Sequence, residues 1–245
     1  MDSSITLADI VEITHGFAFK GEYFSDTETI DVCVTPGNFL VGGGFKSDKF
    51  KYYDGPVDSK YLLDSGDLVV TMTDLSKETD TLGFPAIVPS GNKHRFLHNQ
   101  RIGKVFVRRE ELLDKKYLYY LLCTASYRNE IVASATGTTV KHTSPTKILA
   151  YSARLPDLKT QKAIAHILGT LDDKIELNRQ TNKTLEAIAK AIFKSWFVDF
   201  DPVHYKQGST QQNRKSLNAT ADEKGASTPN DDPTDADRYL SLIHI

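Results

Sequence analysis

The stretch IAHILGTLDDKIELNRQTNKTLEAIAKAIFKSW, residues 164–196, decides how this chain is organised. Within it Ile164, Leu168, Leu171, Ile175, Asn178, Asn182, Leu185, Ala189, Ile192 and Trp196 follow one another at unbroken alternating spacings of four and three. That alternation predicts one long amphipathic helix with a narrow seam that packs on another helix. No proline interrupts it, Pro156 lies just before it, and Pro202 stops it; Thr160 is the expected N-cap. A helix from about residue 161 to 199 is roughly 58 Å long at 1.5 Å per residue. A rod of that length needs a partner helix. Asn178 and Asn182 sit mid-seam, where a buried polar pair costs stability but fixes register and partner number. The competing reading is a helix exposed there, with both Asn residues solvated.

Outward from the helix the chain divides into three parts. Residues 156–205 hold the helix, residues 1–155 hold most aromatics and glycines, and residues 206–245 are polar. The first part reads as mixed α and β. Leu68-Val69-Val70-Thr71-Met72-Thr73, Ala86-Ile87-Val88 and Lys104-Val105-Phe106-Val107 are short strand-like runs bounded by turn formers. Leu112 to Val132 reads as helical, with Asp114 as N-cap and a break near Cys123-Thr124. The expected class is therefore α+β: a mixed α/β domain, then a long coiled-coil-forming helix. Between Gln207 and Arg238 only Leu217 is a large aliphatic residue, so a disordered tail is expected.

The chain has 245 residues, 30 Lys+Arg against 32 Asp+Glu and two cysteines. This composition excludes collagen-like, fully disordered and disulfide-scaffold classes. No apolar run approaches the roughly 20 residues that span a bilayer, so no membrane role is expected. Cys33 and Cys123 stand apart without ligand-spaced neighbours, which points to a reducing cytoplasm.

Enzymatic signatures are scarce. There is no phosphate-cradling loop, dinucleotide fingerprint or H-E-x-x-H. His94 and His98 read as polar surface histidines rather than metal ligands. Pro156-Asp157 followed by Asp172-Asp173-Lys174 mimics a nuclease pattern, but its second half falls on the helix. No catalytic or metal-binding residue is expected, and a stand-alone nuclease lacks a coherent acidic set.

Two stretches lack acids altogether. Residues 81–109 carry Lys93, Arg95, Arg101, Lys104, Arg108 and Arg109; residues 131–156 carry Lys141, Lys147 and Arg154. Both interleave cations with amides and hydroxyls, among them Asn92, Asn99, Gln100 and Thr136-Gly137-Thr138-Thr139. That mixture suits phosphate contacts and the reading of base edges. An ordinary solvated surface is the competing account.

Several words now carry a resemblance. Gln161-Lys162-Ala163-Ile164-Ala165, Leu168-Gly169-Thr170-Leu171-Asp172-Asp173-Lys174-Ile175 and Phe193-Lys194-Ser195-Trp196-Phe197-Val198-Asp199-Phe200-Asp201-Pro202 resemble the conserved-region helix of type I restriction–modification specificity subunits. Gly16-Phe17-Ala18-Phe19-Lys20, Ser65-Gly66-Asp67-Leu68, Leu97-His98-Asn99-Gln100-Arg101 and Gly137-Thr138-Thr139-Val140-Lys141-His142-Thr143 are similar to that family's target-recognition domain. The resemblance covers about residues 5–205.

It implies a non-catalytic subunit that binds double-stranded DNA and presents it to adenine-methylating modification subunits and a restriction subunit. S-adenosylmethionine, ATP and Mg then belong to those partners, and this chain needs no cofactor. The implied DNA contacts are the Gly137, Thr138, Thr139, Lys141 and His142 loop first, then Asn99, Gln100 and Arg101. Thr71, Thr73 and Asp74 leave a strand end beside them, and Phe17, Phe19 and Lys20 are a loop anchor or a phosphate contact. Leu171, Ile175, Asn178, Asn182, Leu185, Ile192 and Trp196 face a partner helix. The family's usual subunit has two recognition domains and two antiparallel helices, whereas this chain has one of each. A fragment, or a half-subunit that self-associates through its helix and reads one half of a bipartite target, fits that departure. The alternative is an interaction protein that binds or titrates other subunits without reading DNA.

Overall fold

A computed structural model describes residues 4–202, apart from residues 75, 77–79 and 92. The tail expected over 206–245 lies outside the described residues, as does Asn92. Two compact units divide at Lys174–Ile175. The boundary expected between residues 155 and 156 therefore falls inside the first unit, because the opening turns of the long helix are packed into it.

Strands and helices are numbered in chain order. One sheet has five strands in the order β3 (Phe24–Ser25), β5 (Lys51–Tyr53), β4 (Asp31–Val34), β10 (Arg95–His98), β6 (Leu62–Leu63). Its central pair, β4 and β10, is parallel, with Val32 opposite Phe96 and Cys33 opposite Leu97. The second sheet is antiparallel, in the order β2 (Val11–His15), β11 (Ile102–Val107), β7 (Leu68–Thr71), β9 (Pro85–Ile87). Two short ladders join β1 (Ile5–Thr6) to β13 (Ser152–Ala153) and β8 (Thr73–Asp74) to β12 (Lys141–His142).

Strand β7 explains the layering. All four of its residues are buried, and side chains alternate between faces along a strand. Leu68 and Val70 enter one core with Val11, Ile13, Val105 and the helical residues Leu118, Leu122, Tyr127, Ile131 and Ile148. Val69 enters a second core with Val32, Val34, Phe39, Ala86, Phe96 and Ile102. The antiparallel sheet thus lies between a helical layer and the five-stranded sheet, so β7 is buried on both faces rather than alternating between core and solvent.

The expected helical region is two helices, α1 (Lys115–Leu122) and α2 (Ala125–Ser134). Asp114 caps α1 by accepting from the Tyr117 N–H, and Thr124 caps α2 through Tyr127. The short α3 (Pro145–Leu149) starts at Ser144. The long helix is α4 (Leu158–Phe193), continued by a π-type turn over Lys194–Val198. Its cap is Asp157 rather than Thr160: the Asp157 carboxylate accepts from both the Thr160 N–H (3.0 Å) and its hydroxyl (2.7 Å). That interaction also holds the Asp157 carboxyl below its usual range. Nor is Pro202 the stop, since the helix ends earlier and Phe200 adopts φ +54°.

Within the first unit, Gln161 fastens α4. Fully buried, it donates to the Leu112 and Pro156 carbonyls and accepts from the Asp114 N–H. Ala165, one turn on, is also buried, and Tyr120 donates to Asp172 at 2.7 Å. Beyond this root the seam is open: Leu171, Ile175, Leu185, Ile192 and Trp196 are each about half exposed (47–57%).

Candidate nucleic-acid interface

The three segments singled out in the first part of the chain meet at Met72, the residue between β7 and β8. The Met72 N–H donates to the Arg101 carbonyl at 2.8 Å, and its carbonyl accepts from Thr143 at 2.9 Å. Residues 99–101, the turn between β10 and β11, therefore lie on one side of Met72, and the 136–143 loop lies on the other.

The second loop is a closed hairpin. Thr136 and His142 exchange backbone hydrogen bonds of 2.9 and 2.8 Å, and β12 pairs with β8 so that Lys141 faces Asp74 and His142 faces Thr73. Gly137 sits at φ +100°, and a Cβ there would lie 2.0 Å from the Val140 carbonyl oxygen. Only glycine fits. Thr138, Thr139 and His142 are exposed and Lys141 is half-buried.

The turn at 99–101 is built from the inside. Asn99 Oδ1 accepts from the Arg101 N–H at 2.9 Å, while its Nδ2 donates to Cys33 Sγ at 3.2 Å. The Asn99 amide is therefore committed to the fold and pins the backbone of the turn that carries Gln100 and Arg101, which are exposed. Thr71 and Thr73 are buried too, which corrects their expected place on the surface. Thr71 donates its hydroxyl to the Thr73 carbonyl, and the Thr73 hydroxyl contacts His142 Nδ1 at 3.1 Å. Asp74 likewise faces inward. His98 is not a surface histidine: it is buried, its Nε2 contacts the Ile102 carbonyl at 2.8 Å, and burial lowers its pKa.

Sequence alone missed Gly16 as the piece that closes this edge. A Cβ on Gly16 would strike the His98 and Asn99 carbonyls at 2.1 and 2.4 Å, and its absence lets Phe17 pair with that turn. Phe17 stacks on Tyr61 and Phe19 packs edge-on to Tyr53, which makes both loop anchors.

Charge pairing separates the cations. Within the acid-free window Lys93 pairs with Glu28, Arg95 with Asp31, Lys104 with Asp67, Arg108 with Glu12, and Arg109 with Glu111. The window is acid-free in sequence but not in space. Arg101 is its one cation without an ion pair among the described residues, and Lys141 has none there either.

Asp74 holds the floor of the site. Its carboxylate, 2% exposed, accepts from the Ser76 and Leu82 N–H groups and from the Thr81 N–H and hydroxyl. Burial raises its pKa, but the donors on Ser76 and Thr81 outweigh burial and hold it below the ordinary 3.8. A carboxyl depressed in the folded state contributes stability above its unfolded pKa, and loses it as pH falls through the folded value. Melting temperature is therefore expected to fall as pH drops below 3.8, more steeply in the wild type than in Asp74→Asn. The variant should already be destabilised at neutral pH by about 1–3 kcal/mol, since its amide misdirects those donors. Parallel melting curves for the two proteins check both points.

Among the described residues no group of three or more His, Cys, Asp and Glu side chains is placed to hold a metal, and no helix is long and apolar enough to cross a membrane. The structure defines a mixed α/β module with two loops gathered on one edge, running into a long helix with an apolar seam. Residues 3–187 match the family described as the type I restriction modification DNA specificity domain, and the chain belongs to that family.

Similar proteins agree. The HindI specificity subunit of Haemophilus influenzae is 48% identical over 94 residues, covering 37% of this chain and 20% of that protein. The MjaVIII specificity subunit of Methanocaldococcus jannaschii is 32% identical over 201 residues, covering 77% of this chain and 43% of that one. The crystal structure of a type I S subunit from M. genitalium shares the fold, with a TM-score of 0.55 at 18% identity over 85% of this chain and 50% of its own. The chain thus spans less than half of the curated relatives it matches.

Proposed function

We propose that this chain is a DNA-reading module of a type I specificity subunit, binding one half of a bipartite target in duplex DNA. The observation that carries the reading is the meeting at Met72 of two loops that present Arg101 and Lys141, two cations not neutralised by carboxylates among the described residues. Lys141, with Thr138 and Thr139, supplies phosphate contacts. Arg101 and Gln100 have the donors and acceptors that read guanine and adenine edges in the major groove. Asn99, Thr71 and Thr73 act from behind by fixing those loops.

In this reading the protein contributes recognition and no catalytic group. Modification subunits transfer the methyl group from S-adenosylmethionine, and restriction subunits use ATP and Mg. The α4 seam is the assembly surface. A second copy paired through a two-fold axis gives each seam an equivalent partner and implies a symmetric, interrupted target. The half-exposed seam also suits an interaction protein that binds other subunits without reading DNA.

Duplex binding measured across salt concentrations decides between these. Log affinity is expected to fall linearly with log salt, at about 0.9 per phosphate neutralised. Lys141→Ala should weaken binding to all sequences and lower that slope by about one, whereas Arg101→Ala should relax preference at one base position. Absence of duplex binding at low salt would leave only the interaction reading.

A further inference from the structure

A cleft of about 190 Å³ opens beside the 99–101 turn, lined by Gln100 and Arg101 on one side and by Lys51 and Phe19 on another. Lys51 comes from β5, an edge-side strand of the five-stranded sheet, paired there with Cys33 of β4. It is exposed, and its ammonium lies 5.8 Å from the centre of the Phe24 ring, which lies along the same cleft. No carboxylate lines the cleft. Gln100 adds an amide donor, and neither Lys51 nor Arg101 makes an ion pair among the described residues.

This arrangement departs from the habit of the surrounding surface. Lys20, Lys46, Lys60, Lys93, Arg95 and Lys104 each have a carboxylate within 4 Å. Two cations and an amide around one small acid-free recess leave like charges facing common space, and an anion that enters relieves their repulsion. The recess also adjoins Arg101, already placed on the proposed DNA surface. Lys51 offers such an anion a compact point charge that demands no particular shape of it.

We propose that the cleft beside the 99–101 turn is an anion site that takes one backbone phosphate of bound duplex DNA, with Lys51 as its sequence-independent anchor and Arg101, at its rim, left to the groove. The proposal rests on the DNA-reading function above and extends the interface from the two loops onto the five-stranded sheet. Phosphate contacts of this kind set the register of a protein on DNA, leaving base edges to other side chains. With Lys51 fixing the backbone, Arg101 and Gln100 meet the groove in one orientation.

The test uses the full chain and random-sequence duplex DNA titrated at several salt concentrations. Lys51→Ala is expected to lower affinity roughly three- to tenfold for every sequence and to reduce the salt slope by about one, while Lys51→Arg retains both. An unchanged melting temperature accompanies the loss, because Lys51 is exposed. If Lys51→Ala binds like wild type while Lys141→Ala does not, the cleft is not a phosphate site and the DNA reading stands. If neither substitution changes binding, the cleft is not a phosphate site and the phosphate role of Lys141 falls with it, whereas absence of duplex binding by the wild type is what removes the DNA reading itself.

Discussion

Gly137→Val is expected to reduce duplex-DNA affinity by about tenfold to a hundredfold while leaving the melting temperature within a few degrees of wild type. The argument starts from the backbone. Gly137 occupies φ +100°, outside the range that residues with a Cβ adopt, and the added carbon would lie 2.0 Å from the Val140 carbonyl oxygen. The hairpin must open or twist, and strain of this kind costs about 1–3 kcal/mol. Little of that reaches global stability, because residues 136–139 are exposed and the loop adds nothing to either core.

The cost falls on binding instead. Relieving the clash displaces Val140 and with it Lys141, whose position depends on the two-residue ladder to Thr73 and Asp74. At about 1.4 kcal/mol per tenfold, the strain converts directly into the predicted loss. Gly137→Asn separates the causes. Asparagine tolerates positive φ better than valine, but its Cβ meets the same carbonyl, so it is expected not to rescue. Affinity equal to wild type in both variants would remove this loop from the DNA contact.

What was legible in the sequence was what depends on near neighbours. The α4 seam follows from a local period, and Asp114 and Thr124 cap α1 and α2 because capping acts over three residues. Strands β7, β9 and β11 were visible as β-rich runs between turn formers. The parallel pair β4 and β10 was not, since 64 residues separate Asp31 from its partner Arg95 and neither strand alternates. The cap at Asp157 was missed by three residues, the distance over which a carboxylate reaches an N–H and a hydroxyl together.

The candidate site shows the same division more sharply. The words Asn99-Gln100-Arg101 and Gly137 to His142 were found, but the roles of their side chains were only half visible. An acid-free window of sequence suggests an open cationic surface. Glu12, Glu28, Asp31 and Asp67 then fold onto it from 37 to 96 residues away and neutralise four of its cations. Arg109 finds its acid just past the window's end, in Glu111. Arg101, on the turn that the Asn99 side chain holds, has no carboxylate partner among the described residues. Linear charge patterning cannot tell these cases apart, since electrostatic neighbours are set by the sheet register.

Purified chain is expected to dimerise through α4, and Ile175→Asp combined with Leu185→Asp to abolish that dimer. The seam itself supplies the geometry. A two-fold axis between Asn178 and Asn182, with helices antiparallel, sets Asn178 against Asn182 of the other copy, Ile175 against Leu185, Leu171 against Ala189, Leu168 against Ile192, and Ile164 against Trp196. Both Asn side chains then meet an amide, and no aliphatic residue faces one. Shifting the register by one heptad leaves Asn opposite a hydrocarbon at a cost of about 1–3 kcal/mol per unpaired group. The double aspartate variant places four carboxylates in the two layers that flank the Asn pair, two in each, where burial without partners is prohibitive. Trp196, the one tryptophan in the chain, reports the result directly. Its emission should shift to the red as wild-type protein is diluted, and stay red at all concentrations in the variant. Orientation is tested separately by cysteines in a Cys123→Ser background. Chains carrying Ile175→Cys should cross-link to chains carrying Leu185→Cys and not to themselves, whereas a parallel pair reverses that outcome. Replacing Asn178 and Asn182 with leucine should tighten association yet broaden its stoichiometry, because the polar layer that selects one register is gone. A wild-type chain that stays monomeric at every concentration, with unshifted Trp196 emission, would leave the seam to a different subunit.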